Sequence, residues 1–303
     1  MTMLQQFNPK NTDIQVFVKD QLHSRNDAKV SVFDSSVQGG DAVWEGLRIY
    51  RGKIFCLEQH LQRLRESAKA LMFSDIPDDD FVKKAIFQTL EANGMRDETH
   101  IRLTLTRGEK VTSGMDPRVN QAGSCLIVLA EWKPPVYDNQ KGIRVITSSI
   151  ARNSPQHLDS KIHHNNLLNN ILAKIQANVA GADAAIMLDA YGFVSELNDT
   201  NIFMAKAGKF YTPHADACLP GITRGLALAI ARALDIETVE KNLSLTEFYN
   251  ADEVFATGTM GELTPVGEID GRIVERHHPE ALLPRLRERF EEMVDELSVP
   301  LPF

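Results

Sequence analysis

The chain has 303 residues, of which 43% are hydrophobic, so it holds one large domain or two ordinary ones and can bury a core. Its formal net charge of -8 is made of both signs spread along the chain, with no block of Lys and Arg, which excludes a nucleic-acid footprint. Cys56, Cys125 and Cys218 are far apart and form no CxxC, and there is neither a run of about 18 apolar residues nor an apolar stretch in residues 1–10; no disulfide framework, metal cluster, membrane span or signal peptide is expected, and a cytoplasmic protein is the expectation.

In chain order, residues 30–34 and 47–50 are predicted as strands, with Arg51, Gly52 and Lys53 turning the chain toward Ile54 and Phe55. Residues 57–72 form a predicted helix with Leu57, Leu61, Leu64 and Ala68 on one face. A second helix covers 81–93 and stops at Gly94, and strands follow at 101–106 and 124–130. Strands followed by helices indicate an α+β domain over 1–133 with an antiparallel or mixed sheet. Pro134 and Pro135 stiffen a linker at 134–142. A C-terminal α/β domain at 143–303 opens with a strand at 143–148. The helix after Lys161 carries Leu167, Leu168, Ile171, Leu172 and Ile175 as one apolar stripe and ends at Gly181. Strands at 184–188, 200–205 and 210–212, a helix at 223–234, a strand at 252–257 and a charged helix at 279–296 complete the chain, without internal repeats.

Four segments carry the chemistry. Lys161 lies just before a helix, in Asp159-Ser160-Lys161-Ile162-His163-His164-Asn165-Asn166. A lone lysine is ordinarily surface charge; the crowd of small and hydrogen-bonding neighbours sets this one apart. Glu196 follows Gly192-Phe193-Val194-Ser195 on an expected turn between strands, where the plain alternative is an exposed turn residue. Leu219-Pro220-Gly221-Ile222-Thr223-Arg224 reads as a helix opening on a glycine turn, with the free N–H groups of Ile222 and Thr223 aimed at an anion, unless Thr223 simply caps the helix. Thr257-Gly258-Thr259-Met260-Gly261 is either a hydroxyl-rich phosphate loop or an ordinary strand-end turn. An imine-forming lysine in a dry pocket, a carboxylate for a pyridine nitrogen and a helix N-terminus for a phosphate are what pyridoxal phosphate (PLP) requires. His163 and His164 point different ways and lack a third ligand at suitable spacing, so no metal is expected. Neither a P-loop, a GxGxxG nor a G-x-S-x-G occurs.

With Val43-Trp44-Glu45-Gly46-Leu47 and His60-Leu61-Gln62-Arg63-Leu64 added, these pieces in this order resemble the class IV (fold type IV) PLP-dependent aminotransferases over roughly residues 32–272. That family includes branched-chain aminotransferases, D-amino-acid aminotransferases, (R)-selective amine transaminases and 4-amino-4-deoxychorismate lyases. The resemblance implies a two-domain, D-amino-acid aminotransferase-like α/β (α+β) fold with the cofactor in a cleft, and a homodimer. It implies Lys161 as the Schiff-base lysine and Glu196 at the pyridine nitrogen. Arg63, Gly221, Ile222, Thr223 and Thr259 would hold the phosphate. Trp44, His100, Arg102, Met260 and Gly261 would line the substrate side, the last two through backbone N–H groups. Gly39, His100 and Asn166 stand where branched-chain enzymes commonly carry tyrosines, whereas Arg102 fits their pattern. Thr106-Arg107-Gly108 is similar to D-amino-acid transaminases and the lyases, and Arg107, Lys110 and Arg118 in a loop at 106–123 are open candidates for a substrate carboxylate. The implied activity is amino transfer between an amino acid, branched-chain-like or D, and a 2-oxo acid; the lyase and the (R)-amine transaminase are the alternatives.

Overall fold

The structure, a computed structural model, describes residues 6–274 and 281–303. A hairpin of β1 (Gln15–Val18) and β2 (Gln21–Ser24) opens the described chain, followed by a short helix α1 (Ser35–Gly39). β3 (Ala42–Tyr50) turns into β4 (Lys53–Phe55) through Arg51 and Gly52, whose φ values of 48° and 77° define the doubly positive turn that matches strand twist. α2 (Leu57–Ala70) buries Leu57, Leu61, Leu64 and Ala68, the face read from the sequence. α3 (Asp79–Asn93) is capped by the Asp78 carboxylate, which accepts the Phe81 N–H, and ends at Gly94 with φ 64°. β5 (Thr99–Thr106) and β6 (Cys125–Trp132) follow. The second half contains β7 (Ile143–Thr147), α4 (Leu168–Val179), β8 (Ala184–Leu188), β9 (Val194–Leu197), β10 (Asn201–Lys206), β11 (Lys209–Thr212), α5 (Ile222–Ala233) and β12 (Thr238–Glu240). It continues with α6 (Leu245–Tyr249), β13 (Glu253–Gly258), β14 (Glu262–Ile269), β15 (Arg272–Ile273), α7 (Leu283–Glu296) and β16 (Ser298–Pro300).

Two compact units emerge. The N-terminal unit comprises residues 6–134, 162–166 and 297–303. Its sheet runs β16-β4-β3-β5-β6-β1-β2 with every neighbouring pair antiparallel, and the apolar faces of α2 and α3 contribute to its core. Residues 162–166 and 297–303 fall in the second half by sequence, but long-range pairing recruits them here: the Trp44 N–H donates to the His163 carbonyl, the Asn165 N–H to Ala42, and β16 pairs with β4. The C-terminal unit comprises 135–161 and the described parts of 167–296. Its mixed sheet runs β12-β11-β10-β13-β14-β7-β8-β9, with β15 on β14, and is parallel at β11/β12, β14/β7 and β7/β8. Among the described residues, no helix is long and apolar enough to cross a membrane.

Three local expectations change. Residues 30–34 are not a strand: Asp34 accepts the Ser36 N–H and the Thr106 hydroxyl, and so caps α1 instead. The stripe of α4 faces outward, with Leu168, Ile171, Leu172 and Ile175 exposed, because the helix buries its small face, Ala173 and Ala177, against Ala185 and Met187. The segment expected as a linker carries Tyr137 into the core of the C-terminal unit, where its hydroxyl donates to Asp199 Oδ1 at 2.6 Å. The start predicted for the last helix, residue 279, lies outside the described residues.

Candidate active site

In the C-terminal unit, residues 216–221 between β11 and α5 gather the chemistry. The Asp216 carbonyl accepts from Lys161 Nζ at 3.2 Å, the Ala217 carbonyl from the Ser195 hydroxyl at 3.0 Å, and the Leu219 carbonyl from Asn201 Nδ2 at 2.8 Å. Lys161 Nζ also lies 3.9 Å from Asp159 Oδ1, and its side chain is 44% exposed, so the dry pocket expected for it is not formed by this chain alone. Glu196 sits on β9 rather than on a turn; the turn lies earlier, at Gly192, where φ is 87°. The strand directs the Glu196 carboxylate inward, where Oε1 accepts from Arg152 Nε at 2.5 Å and Oε2 from Asn201 Nδ2 at 3.0 Å. Asn170, in the first turn of α4, reaches Arg152 at 3.5 Å and holds the Asn198 carbonyl at 2.7 Å. Burial raises the Glu196 proton affinity above the ordinary carboxylate value, and Arg152 only partly offsets this. The Cys218 thiol is pushed up to about 12 by burial and then by Glu196, while Arg224, Arg152 and Lys161 act on it in the opposite sense; all four charges reach one buried atom.

α5 opens without a side-chain cap, leaving the N–H groups of its first turn, at Ile222 and Thr223, without one. Its N-cap Gly221 has an ordinary extended backbone, φ -62° and ψ 142°. Glycine is required there by a close approach: a Cβ would overlap Asn201 Oδ1. Arg224 is committed to the Pro213 carbonyl at 2.9 Å and to Glu240 at 2.6 Å. Thr259 and Met260 lie in the turn between β13 and β14, which closes on Gly261. The Gly261 N–H donates to the Gly258 carbonyl at 3.2 Å, so it closes the turn instead of presenting itself to a substrate carboxylate; the Met260 carbonyl takes the Val136 N–H at 2.9 Å. The Thr257 hydroxyl is buried and has no partner among the described residues.

In the N-terminal unit the centre is Glu45 on β3, which is 0% exposed. It accepts from Arg63 Nε at 2.8 Å and Nη2 at 2.7 Å, from His60 Nδ1 at 2.6 Å and from His163 Nδ1 at 3.1 Å. Burial opposes ionisation of this carboxyl, but His163 and Arg63 hold it well below the usual range. Arg63 is always charged and is the dependable partner, because burial lowers the proton affinity of His163 itself. Trp44 donates its indole N–H to the His164 carbonyl, packs against His163 with centroids 4.2 Å apart and the rings tilted by 39°, and takes the Arg102 guanidinium 3.9 Å above its ring. Arg102 also donates to Asn165 at 3.0 Å. His100 is pushed down to about 3 by burial and by the charges of Lys133, Arg48 and Arg102, and is therefore a neutral imidazole. The three loop cations are engaged: Arg107 with both Asp41 oxygens and the Leu71 and Met72 carbonyls, Lys110 with the Gly114 carbonyl, and Arg118 with Asp116. Among the described residues, no group of His, Cys, Asp and Glu could hold a metal.

Sequence reasoning missed Arg152, Asn170 and Asn201, and did not see Glu45 as a hub. Asn201 alone carried a local signal: it opens the strand that follows Glu196 after a short turn, which sets the two side by side. Arg152 meets Glu196 from a loop, and nothing in its neighbourhood marks it.

A family model described as amino-transferase class IV matches residues 42–269. Branched-chain-amino-acid aminotransferase-like proteins 2 and 1 of Arabidopsis thaliana are 58% and 57% identical to this chain over 294 residues, which is 97% of it and 53% of each of them. The chain thus spans about half the length of these curated relatives. The solved branched-chain aminotransferase of Thermoproteus uzoniensis, with norvaline, superposes with a TM-score of 0.87 at 29% identity, covering 95% of this chain and 99% of that one.

Proposed function

Because this chain belongs to the class IV aminotransferases, we propose that it is a PLP-dependent transaminase of branched-chain aminotransferase-like type, acting between an amino acid and a 2-oxo acid. One observation carries the reading: Lys161, Ser195 beside Glu196, and Asn201 each bond to successive parts of the loop that ends at the uncapped start of α5. The fit to the cofactor rests on three features of the chain. Glu196 is a buried carboxylate whose proton affinity is raised, a setting that favours a cationic ring nitrogen beside it. The first turn of α5 has no side-chain cap and suits an anion. The buried Thr257 hydroxyl lacks a partner on the same strand that leads to Thr259.

When bound, PLP supplies an electron-accepting ring conjugated to the transferred nitrogen. The chain supplies the rest. Lys161 would take the proton from the substrate Cα and pass it to C4′ of the cofactor, which an amine on a partly exposed side chain is able to do. In the C-terminal unit, Glu196, fixed by Arg152 and Asn201, would keep the ring nitrogen protonated, Gly221, Ile222, Thr223 and Thr259 would hold the phosphate, and Met260 would serve the substrate side. In the N-terminal unit, the family resemblance gives Arg63 the role of a charged phosphate partner and Trp44, neutral His100 and Arg102 roles toward the substrate. The relatives' names favour a branched-chain substrate. Gly39, His100 and Asn166, which lack the hydroxyls of tyrosine, weaken that reading, and Thr106-Arg107-Gly108 favours a D-amino acid, with 4-amino-4-deoxychorismate lysis or (R)-amine transfer as further outcomes.

The deciding experiment is an absorbance spectrum with PLP, followed by L-leucine and D-alanine in separate cuvettes. A cofactor band that bleaches with one amino acid and returns with a 2-oxo acid establishes transamination and its chirality. A band indifferent to both moves the reading to the lyase or to an amine. Lys161→Ala should abolish turnover and leave the circular dichroism unchanged, because the side chain is partly exposed. We further propose a homodimer, supported by the exposed apolar stripe of α4; Leu172→Glu should shift the sedimenting species to monomer. Three buried free cysteines support a reducing, cytoplasmic setting.

A further inference from the structure

Asn201 is 4% exposed, and its Nδ2 serves two acceptors. Its Nδ2 donates to Glu196 Oε2 at 3.0 Å and to the Leu219 carbonyl at 2.8 Å, while its Oδ1 fills the space where a side chain at position 221 would stand. One amide therefore touches the carboxylate, the loop whose Asp216 carbonyl receives Lys161, and the N-cap of α5.

We propose that Asn201 is a positioning residue that locks Glu196 to the opening turn of α5, so that the groups meeting the ring nitrogen and the phosphate of PLP are set by one side chain. This rests on the transaminase reading above. The geometry supports it in two ways. Arg152 donates to Oε1 of Glu196 and Asn201 to Oε2, with the Leu219 backbone N–H as a further donor to the carboxylate, so Asn201 is the side chain that ties Oε2 to the loop before α5. At the other end, Gly221 is the N-cap, so the contact with Asn201 Oδ1 fixes the residue from which the first-turn N–H groups project. A purely structural asparagine, bridging β10 to a loop, would affect stability alone.

The test uses two variants that break the link from opposite ends. Asn201→Ala removes the amide. Gly221→Ala leaves the amide in place, but its Cβ displaces Oδ1. PLP is titrated into each apoprotein by absorbance and tryptophan fluorescence, and kcat is followed against pH. Asn201→Ala should raise the PLP Kd by about 10–100-fold, the range found when a supporting partner of a ligand-holding group is removed. Gly221→Ala should raise it less. Loss of a donor to the carboxylate makes Glu196 easier to protonate, so the acid limb of the kcat profile should move to higher pH in Asn201→Ala. If both variants bind PLP as the unaltered protein does and the acid limb stays in place, the positioning role is overturned while the transaminase reading stands. If the unaltered protein takes up no PLP, the transaminase reading fails and takes this proposal with it. Should Asn201→Ala fail to fold, Gly221→Ala decides by the same criteria.

Discussion

Each unit buries one carboxylate against an arginine, and the two pairs are built differently. Glu45 accepts two bonds from Arg63 and one each from His60 and His163. Glu196 accepts one from Arg152, one from Asn201 and one from the Leu219 backbone N–H. Burial alone raises the proton affinity of both. At Glu45 the donors prevail and the carboxyl is held well below its ordinary range; at Glu196 burial prevails and it is raised. The number and charge of the donors thus separate a fixed anion, which holds an arginine in place, from a carboxyl whose proton affinity burial raises.

The largest expected effect is at Glu45. Glu45→Ala leaves the Arg63 guanidinium, 13% exposed, without its carboxylate, and removal of one member of a buried pair costs about 3–5 kcal/mol. Urea unfolding would measure it, and a loss under about 1 kcal/mol would break the contrast by showing that Glu45 is not an anchor.

The second effect is the pH dependence, where the two sites have opposite signs. At Glu45 the folded-state value is depressed, so its contribution is complete above the ordinary carboxylate value of 4.5 and is lost as the pH falls through the folded value. The deficit of Glu45→Gln should therefore shrink on acidification. At Glu196 the folded-state value is raised, so stability is complete below the ordinary value of 4.5 and declines as the pH rises toward the folded value. Glu196→Gln, permanently neutral, should gain on the unaltered protein as the pH rises from 4.5, in proportion to the displaced proton affinity. Parallel slopes for the two variants in thermal melts would refute the assignment of opposite shifts.

What the sequence made legible follows the same division between local and distant. α2 could be read with its buried face, and α3 with its stop, because periodicity and Gly94 are local signals. Lys161, Glu196 and the start of α5 could be read because each lies in a short segment with its own chemistry. The apolar stripe of α4 was visible as a stripe, but which face of a helix turns inward depends on the sheet beneath it, and there the small residues Ala173 and Ala177 fit. Tyr137 was hidden in a proline-rich segment, and Asp34 in a β-rich run that its capping bond outweighs. Arg152 and the cluster on Glu45 are products of tertiary structure: His60 and Arg63 come from α2 and His163 from a segment about a hundred residues later, and nothing in either announces the carboxylate they share on β3.

The smallest expected effect sharpens the contrast from the Glu196 side. Thr257 stands opposite Asn201 in the β10–β13 register, so the two side chains share a face of the sheet. Its hydroxyl is buried with no partner among the described residues, and a buried hydroxyl without a partner forfeits the hydrogen bonds it makes in water. Thr257→Val keeps the shape and the β-branching while removing that unmet demand, so the apoprotein should gain about 1 kcal/mol in urea unfolding. Near Glu45 the equivalent repair is not available: His60 Nε2 also lacks a partner, but the same ring donates to the carboxylate through Nδ1, and removing it would cost the anchor a donor. If Thr257→Val gains apoprotein stability and loses PLP affinity, the hydroxyl is held open for an oxygen that arrives with the ligand, and the C-terminal site is tuned for occupancy as the Glu196 carboxyl is. If it gains stability and binds PLP equally well, the hydroxyl is an unmet demand with no role in binding. If it loses apoprotein stability, solvent already satisfies the hydroxyl, and incomplete polar satisfaction on this side must be argued from Glu196 alone.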